Sequence, residues 1–257
     1  MPRFHPKYLV PNAFTALSML FGLWSAAESA RGHFTLAAWM ILWGVLLDKL
    51  DGSAARLLKA SSAFGVQYDS FADFVVFGVA PAALAWFKLC DSPQWAGALQ
   101  PVLIAAVALY VVAVSGRLAR FNISSPPGGD LVFYGIPTTL VGAALASLYL
   151  TCERGSLPVS LIDGFPIYLI VSAVAMVSSV RLPKLKLRKS KAMNVFQIGN
   201  VAAAYVLAPM RLWPELLLAQ AAVYLVGGVS WALLHPPVEA RAESGVNDEE
   251  PMTSAAG

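Results

Sequence analysis

Long apolar stretches, each close to the length of a membrane-spanning helix, alternate along this chain with short polar connections. A helix needs about 20 mostly apolar residues to cross the hydrocarbon core of a bilayer. Backbone polar groups in that core are satisfied within helices or closed barrels, and the sequence lacks the short alternating strands of a barrel. The pattern therefore predicts an all-α fold, a polytopic transmembrane helix bundle of about eight spans. The predicted spans lie near residues 11–30, 34–52, 66–88, 96–118, 131–151, 159–180, 193–211 and 215–234.

The two ends of the chain differ from these stretches. The segment from His5 to Val10 predicts either a short interfacial helix, with Pro11 marking the turn into the first span, or a plain cationic flank. After Pro236 and Pro237 the chain becomes polar and acidic, as is typical of disorder. We therefore expect one integral membrane domain, residues 1–235, and a disordered acidic tail, residues 236–257.

Composition supports the membrane class independently. Hydrophobic residues make up 58% of the chain and charged residues 13%, whereas soluble domains carry about 25% charged residues. The net charge of +3 is modest. The one basic run, residues 181–191, adjoins a predicted span and favours contact with anionic lipid, so we expect membrane lipid and no nucleic acid among the partners.

The cations are unevenly divided between the two ends of the predicted spans. By the positive-inside rule, the best arrangement places both termini and the even-numbered loops in the cytoplasm. All but four of the 18 Lys and Arg residues then lie inside, the exceptions being Arg31, Lys88, Arg154 and Arg211. Cys90 and Cys152 both fall near the external ends of spans, which leaves a disulfide between them open.

Four aspartates interrupt the apolar pattern at the ends of the second and third predicted spans. The spacing is D-x2-D-G-x2-A-R-x8-G-x3-D-x3-D, and the residues are Asp48, Asp51, Gly52, Ala55, Arg56, Gly65, Asp69 and Asp73. One ionised Asp at the centre of a membrane helix costs roughly 2.5 to 3.5 kcal/mol, so four of them need a compensating charge. The spacings i, i+3 and i, i+4 place each pair on one helix face. Two such helices packed together would form one acidic pocket.

The residue types of this motif indicate which ligand the pocket takes. Carboxylate oxygens suit the hard cations Mg²⁺, Mn²⁺ and Ca²⁺, and no His or Cys lies within the motif to favour zinc. Gly52 and Ala55 would let a bulky ligand approach the helix backbone. Arg56, one turn beyond Gly52, is suited to pairing with phosphate. The motif therefore predicts a metal-bridged diphosphate site at the cytoplasmic end of the bundle.

Other interpretations compete with this one. A single Asp is often a helix cap, and Gly and Ala in membrane helices often mark close packing. Carboxylates within a helical bundle also occur in ion-coupled transporters, which scatter them over several helices near the midplane. Here all four lie in one helix-loop-helix segment beside Arg56. The concentration of the motif favours an enzyme.

The complete pattern resembles the signature of the CDP-alcohol phosphatidyltransferase family, and every position of that signature is filled. The resemblance implies CDP-diacylglycerol as donor, a homodimer, and Mg²⁺ or Mn²⁺ as cofactor, with two cations bound. It implies metal ligands, donor contacts and a general base at particular positions. These are Asp48, Asp51, Asp69 and Asp73 for the metal; Gly52, Ala55, Arg56 and Gly65 for CDP-diacylglycerol; and Asp73 as the catalytic base.

Three downstream segments, Gly116–Asn122, Phe133–Thr139 and Met176–Lys184, resemble those of the membrane-embedded, serine-accepting branch of that family in bacteria and archaea. This resemblance implies L-serine as acceptor, phosphatidylserine and CMP as products, and a cytoplasmic membrane location. Glycerol 3-phosphate, inositol phosphate and choline stay open as acceptors. Arg117, Arg120 and Asn122 are the candidates for acceptor binding, since guanidinium groups suit carboxylate and phosphate. Both arginines could equally be positive-inside flanks.

Overall fold

A computed structural model describes residues 6–124, 132–178, 180–183 and 191–234, and over these residues it confirms the helical bundle. A π-helical turn, Phe74–Val79, joins α3 and α4 into one continuous rod, so the described helices form eight rods that match the eight predicted spans. Short 3-10 turns, Pro6–Tyr8 and Val159–Gly164, precede α1 and α7. The helices are α1 Leu9–Ala30, α2 Phe34–Leu57, α3 Ala63–Asp73, α4 Ala80–Leu89, α5 Gln100–Ser124, α6 Thr138–Glu153, α7 Phe165–Val177, α8 Lys191–Leu207 and α9 Pro214–Leu234.

Several of these rods are suited to a bilayer by length and composition. Within the described part of the chain, four segments are long and apolar enough to cross a membrane, and two further apolar helices are shorter. The four are Leu9–Ala30, Ala63–Leu89, Gln100–Ile123 and Val159–Val177, and the shorter two are Thr138–Glu153 and Pro214–Ser230. Outward-facing side chains such as Leu20, Val112, Val171 and Val226 are apolar and more than half exposed. Such a surface is suited to lipid chains rather than water.

The start of the chain does not form the separate interfacial helix that was one of the two arrangements left open by the sequence. The turn Pro6–Tyr8 continues directly into α1, which begins at Leu9 and runs through Pro11. Proline is tolerated there because the first helical turn has no intrahelical partner for its missing N–H. No separate interfacial helix therefore precedes Pro11 in the described residues. Residues 1–5 and the predicted tail, 236–257, lie outside them.

The predicted fifth span, 131–151, was wrong at its start, because the helix begins at Thr138. Residues Val132–Tyr134 instead form a short strand, β1, that pairs antiparallel with β2, Arg181–Pro183. A short apolar run has the same hydropathy in a strand as in a helix. The ladder holds the start of α6 close to the end of α7.

Helices α1 and α2 form an antiparallel pair through small and hydroxylated residues. The Ser25 hydroxyl donates to the Ala37 carbonyl at 2.9 Å, and the Ser18 hydroxyl donates to the Gly44 carbonyl at 3.0 Å. Small residues let membrane helices approach closely enough for such bonds. Because earlier residues of α1 pair with later residues of α2, the start of α1 lies beside the end of α2, where the aspartate motif begins.

Three of the four cations assigned to the external side, Arg31, Lys88 and Arg154, lie near acids at the other end of the bundle. Glu28 pairs with Arg31 at 2.8 Å and with His33 at 2.6 Å. Lys88 lies 3.9 Å from Glu153, and Arg154 lies 3.8 Å from Glu215. Cys90 and Cys152 are both free thiols, so the disulfide that the sequence left open is not formed.

Candidate metal and phosphate site

The end of α2 and the length of α3 bring the four motif aspartates together. Carboxylate oxygens of Asp48, Asp51 and Asp69 lie within 4.8 Å of one another. Asp73, one turn beyond Asp69, is in hydrogen-bonding contact with Asp48. Asp51 is buried, at 7% exposure, and the other three are partly exposed. The helices thus form the acidic pocket that the spacing predicts, and the role of each carboxylate as a ligand stays a prediction.

This pocket fits a divalent cation by its chemistry and its dimensions. Oxygen ligands lie about 2.0 to 2.6 Å from Mg²⁺ or Ca²⁺, so two oxygens that share one ion lie at most roughly 4 to 5 Å apart. The three carboxylates meet that limit. Carboxylates this close repel one another unless a proton or a cation lies between them. The residues present are therefore suited to holding Mg²⁺ or Mn²⁺.

Thr15 on α1 belongs to this site, although the sequence analysis did not single it out. Its hydroxyl lies 2.7 Å from Asp51 Oδ2 and is buried. The same oxygen lies 3.1 Å from the Pro11 carbonyl. Thr15 is part of a buried stripe at helical spacing with Ser18 and Gly22, and that stripe was the available signal. Its position fixes one carboxylate oxygen of the motif.

Gly52 and Arg56 together leave an open face beside the acidic pocket. A Cβ atom placed on Gly52 would meet Arg56 Nη1 at 3.9 Å, and no other atom in the described part of the chain would lie nearer. Arg56 is exposed, and its Nη2 donates to the Ser53 hydroxyl at 3.3 Å. Ala55 is partly exposed on the same stretch of α2. A phosphate group could therefore approach the helix backbone here, next to a guanidinium.

Gly65 has a local structural explanation. Ser62 caps the N-terminus of α3 by accepting a hydrogen bond from the Gly65 backbone N–H at 3.0 Å. A Cβ on Gly65 would lie 3.1 Å from that hydroxyl and 3.5 Å from Asn12 Oδ1. The glycine therefore allows α1 to pack against the capped turn. The predicted contact of Gly65 with CDP-diacylglycerol stays a prediction.

Arg117 on α5 is buried close to the acidic pocket. It is 7% exposed, and its Nε has no hydrogen-bond partner among the described residues. Its guanidinium lies near enough to Asp73 to interact with it electrostatically. A buried guanidinium with an unsatisfied donor is costly unless an anion completes its bonding. Arg117 is therefore well placed to bind an anionic group of a substrate.

Arg120 and Asn122, the other two acceptor candidates, make bonds within the protein. Arg120 donates to the carbonyls of Met176, Val177 and Ser178 at 2.8 to 3.4 Å, where α7 ends. Cations at a helix C-terminus satisfy its last carbonyls. Asn122 joins α5 to α3 through Ser70 at 2.9 Å. These contacts give both residues a structural role beside any contact with the acceptor.

The three downstream segments quoted from the sequence meet at this end of the bundle. The Gly135 N–H donates to the Val180 carbonyl at 2.8 Å, and the Ile136 N–H donates to the Ala175 carbonyl at 3.2 Å. Gly135 has φ +73°, and a Cβ there would collide with the Met176 carbonyl. Only glycine fits that position without strain. The segments thus form one structural unit around Arg120.

Helix α8 also reaches the motif helix. The Tyr205 hydroxyl donates to the Leu46 carbonyl at 3.1 Å, and it lies within electrostatic range of Asp48 and Asp51. Trp43 Nε1 donates to the Ala208 carbonyl at 2.8 Å. A single tyrosine within an apolar span carries no spacing signal, so the sequence did not predict the contact of Tyr205 with α2. Its hydroxyl joins α8 to α2 two residues before the motif begins.

The family model for CDP-alcohol phosphatidyltransferases matches residues 8–181. The chain belongs to the CDP-alcohol phosphatidyltransferase family. The matched region includes the whole aspartate motif and most of the downstream segments, whereas α8 and α9 follow it. Membership of this family and the long apolar helices make the protein an integral membrane protein.

Curated relatives within this phosphatidyltransferase family carry informative names. The chain is 35% identical over 187 residues to the CDP-diacylglycerol–serine O-phosphatidyltransferase of Helicobacter pylori, covering 71% of this chain and 75% of the relative. It is 30% identical over 177 residues to the archaetidylserine synthase of Methanothermobacter thermautotrophicus, covering 68% and 70%. A third relative, the serine O-phosphatidyltransferase of Bacillus subtilis, is 33% identical over 144 residues, or 55% of this chain and 76% of the relative.

Proposed function

We propose that the protein transfers the phosphatidyl group of CDP-diacylglycerol to the hydroxyl of L-serine, giving phosphatidylserine and CMP. The observation that carries this proposal is the meeting of the motif carboxylates beside the open face at Gly52 and Arg56. The printed names of the relatives support serine as the acceptor. The downstream segments, whose contacts form one unit around Arg120, agree with that choice.

The donor would lie with its diphosphate beside the carboxylates. Gly52 and Ala55 leave room for the nucleotide at the α2 backbone, and Arg56 pairs with a phosphate oxygen. Asp48, Asp51 and Asp69 would hold Mg²⁺ or Mn²⁺, with two cations in all as the family resemblance implies. The metal, when bound, supplies positive charge that stabilises the phosphoryl oxygens and the leaving nucleotide. The three aspartates lie on rigid helices, which orient the diphosphate for attack.

Asp73 is the proposed general base. Its carboxyl contacts Asp48 and is not among the three oxygens that lie within 4.8 Å of one another, and a carboxylate in this position can take the proton of the acceptor hydroxyl. The serine hydroxyl loses its proton to Asp73, and its oxygen attacks the phosphorus that carries the diacylglycerol. A new oxygen–phosphorus bond forms, and the bond from that phosphorus to CMP breaks. CMP leaves with the electron pair of the broken bond.

Arg117 is the proposed partner of the serine carboxylate. It is buried near Asp73 and has an unsatisfied donor, and a guanidinium can form paired hydrogen bonds with a carboxylate. Serine bound in this way would have its hydroxyl directed towards the proposed base. Arg120 and Asn122 would support this subsite by fixing the ends of α7 and α5.

The orientation and assembly of the protein are further proposals. The distribution of Lys and Arg supports a cytoplasmic site and cytoplasmic termini, in a bacterial or archaeal cytoplasmic membrane. A cytosolic nucleotide product could then leave directly. The family resemblance supports a homodimer, and residues 1–235 would form the single catalytic membrane domain.

The experiment that tests this proposal follows radiolabelled serine into lipid. Purified protein would be incubated with CDP-diacylglycerol and Mn²⁺ or Mg²⁺, alongside Asp73→Asn and parallel reactions with glycerol 3-phosphate, inositol phosphate and choline. We expect labelled phosphatidylserine and stoichiometric CMP from the parent, and neither from the variant. Product from another acceptor alone would refute serine and leave the catalytic site standing. Failure to release CMP with any acceptor would refute the enzyme assignment.

A further inference from the structure

The π-helical turn between α3 and α4 begins directly after Asp73. In an α-helix the Phe77 carbonyl would accept from the N–H of residue 81, but residue 81 is proline and has none. The Tyr110 hydroxyl on α5 donates to this carbonyl instead. Tyr110 and Phe77 are both fully buried. A hydroxyl from another helix thus satisfies the carbonyl that Pro81 leaves without its α-helical donor.

The π-helical turn packs closely against glycines of three other helices. A Cβ on Gly22 of α1 would lie 2.8 Å from Val76 Cα, and a Cβ on Gly44 of α2 would lie 2.5 Å from Val76 Cγ1. A Cβ on Gly142 of α6 would lie 2.9 Å from Phe77 Cδ1. Three helices therefore contact the turn where they have no side chain. These contacts place the turn against α1, α2 and α6.

The turn sets how α3 is rotated relative to α4. A π-helical turn accommodates one more residue than an α-helical turn, and each residue of an α-helix rotates its face by about 100°. Ala80, Leu84 and Leu89 on α4 are each at most 1% exposed, so the core fixes this face of the helix. If the segment closed as a plain α-helix, α3 would be the part to rotate. Asp69 and Asp73 would then turn away from Asp48.

We propose that Tyr110 is a positioning residue for the aspartate pocket: its hydrogen bond to the Phe77 carbonyl holds the π-helical turn, and the turn holds Asp69 and Asp73 against Asp48. This inference rests on the proposed metal role of the aspartates. Metal binding would then depend on a residue outside the signature motif, Tyr110, which lies on a different helix. Tyr110 acts through the backbone of the rod and does not contact the substrate.

The test measures Mn²⁺ binding directly, by the electron paramagnetic resonance signal of free Mn²⁺ titrated with purified protein. Tyr110→Phe removes the donor and keeps the ring. Substituting the partners of metal ligands typically weakens metal affinity about 10- to 100-fold, and we expect at least about tenfold here. Tyr149→Phe is the matched control, because that tyrosine is equally buried but its hydroxyl bonds to Glu153 at the other end of the bundle. The control should bind Mn²⁺ as the parent does.

A second variant keeps the test decisive if Tyr110→Phe does not fold. In the double variant Tyr110→Phe with Pro81→Ala, the restored N–H at residue 81 can satisfy the Phe77 carbonyl, so the rod can close in α-helical register. We expect this protein to fold and still to bind Mn²⁺ weakly. Parent-like Mn²⁺ affinity in the folded single variant, or in the double variant if the single one is unfolded, would overturn the positioning role. A parent protein that binds no Mn²⁺, or one unaffected by Asp48→Asn, would instead overturn the metal site itself.

Discussion

At the scale of single residues, the aspartate pocket depends on side chains that the signature motif does not contain. Asp51 is the least exposed of the four motif residues, and the Thr15 hydroxyl is its hydrogen-bond partner at 2.7 Å. A hydroxyl that donates to a ligand oxygen fixes the direction of the remaining lone pairs. In the proposed metal site, Thr15 would therefore set the direction in which Asp51 faces the cation.

Substituting Thr15 by valine should weaken metal activation while preserving the packing volume. We expect Thr15→Val to raise the Mn²⁺ concentration for half-maximal activity by about tenfold. Thr15→Ser should behave as the parent. The matched control is Ser18→Ala, one turn further along α1, whose hydroxyl bonds to a backbone carbonyl and not to the motif. Equal metal requirements for Thr15→Val and the parent would contradict this account of Asp51.

The sequence predicted the pocket better than it predicted the partners of the pocket. The spacing of Asp48, Asp51, Asp69 and Asp73 requires two helices to bring them together, because each pair already shares a helix face. The contact of Thr15 with Asp51 depends on the depth at which α1 packs on α2. No local spacing encodes that depth. For the same reason the carbonyl bonds of Arg120 could not be foreseen.

At the scale of helices, the rods approach each other at glycines. Gly22 and Gly44 both pack against Val76 in the π-helical turn. Helix count and order followed from hydropathy, since about 20 apolar residues identify a span in any tertiary context. Hydropathy did not predict the π-helical turn or the β1–β2 ladder. Both depend on backbone partners from distant segments, namely Tyr110 and residues 181–183.

Adding a methyl group at one of these contacts should separate the rods. A Cβ at Gly22 would meet backbone at 2.8 Å, and overpacking typically costs about 1 to 3 kcal/mol. We expect Gly22→Ala to lower the thermal midpoint in detergent, despite the better helix propensity of alanine. Gly227→Ala on α9 is the control, because no atom of the described residues lies within 4 Å of its Cβ position. A midpoint for Gly22→Ala at or above that of the parent would be inconsistent with the close contact.

At the scale of the whole molecule, the two ends of the bundle differ in charge and in chemistry. One end carries the aspartate pocket, Arg56 and Arg117, and the other carries acids paired with Arg31, Lys88 and Arg154. Hydropathy alone places helices in a bilayer but does not orient them. The excess of cations beside the pocket supports a cytoplasmic position for that end.

Cysteine labelling tests this orientation. In a background with Cys90 and Cys152 replaced by alanine, Lys59→Cys places a thiol beside the pocket and Arg154→Cys places one at the opposite end, both at exposed positions. In right-side-out vesicles, an impermeant maleimide should label Arg154→Cys directly and Lys59→Cys only after lysis. The reverse pattern would place the pocket on the external side.

We propose that the four motif aspartates form one metal-dependent site of phosphatidyl transfer. The measurement that tests it most directly is phosphatidylserine formation by chelator-treated protein as Mn²⁺ is added back, for the parent and for Asp48→Asn. We predict no product after chelation, full recovery by the parent with Mn²⁺, and recovery by the variant that is at least about tenfold weaker at every concentration. Undiminished phosphatidylserine formation after chelation, or identical recovery by the two proteins, would contradict the claim.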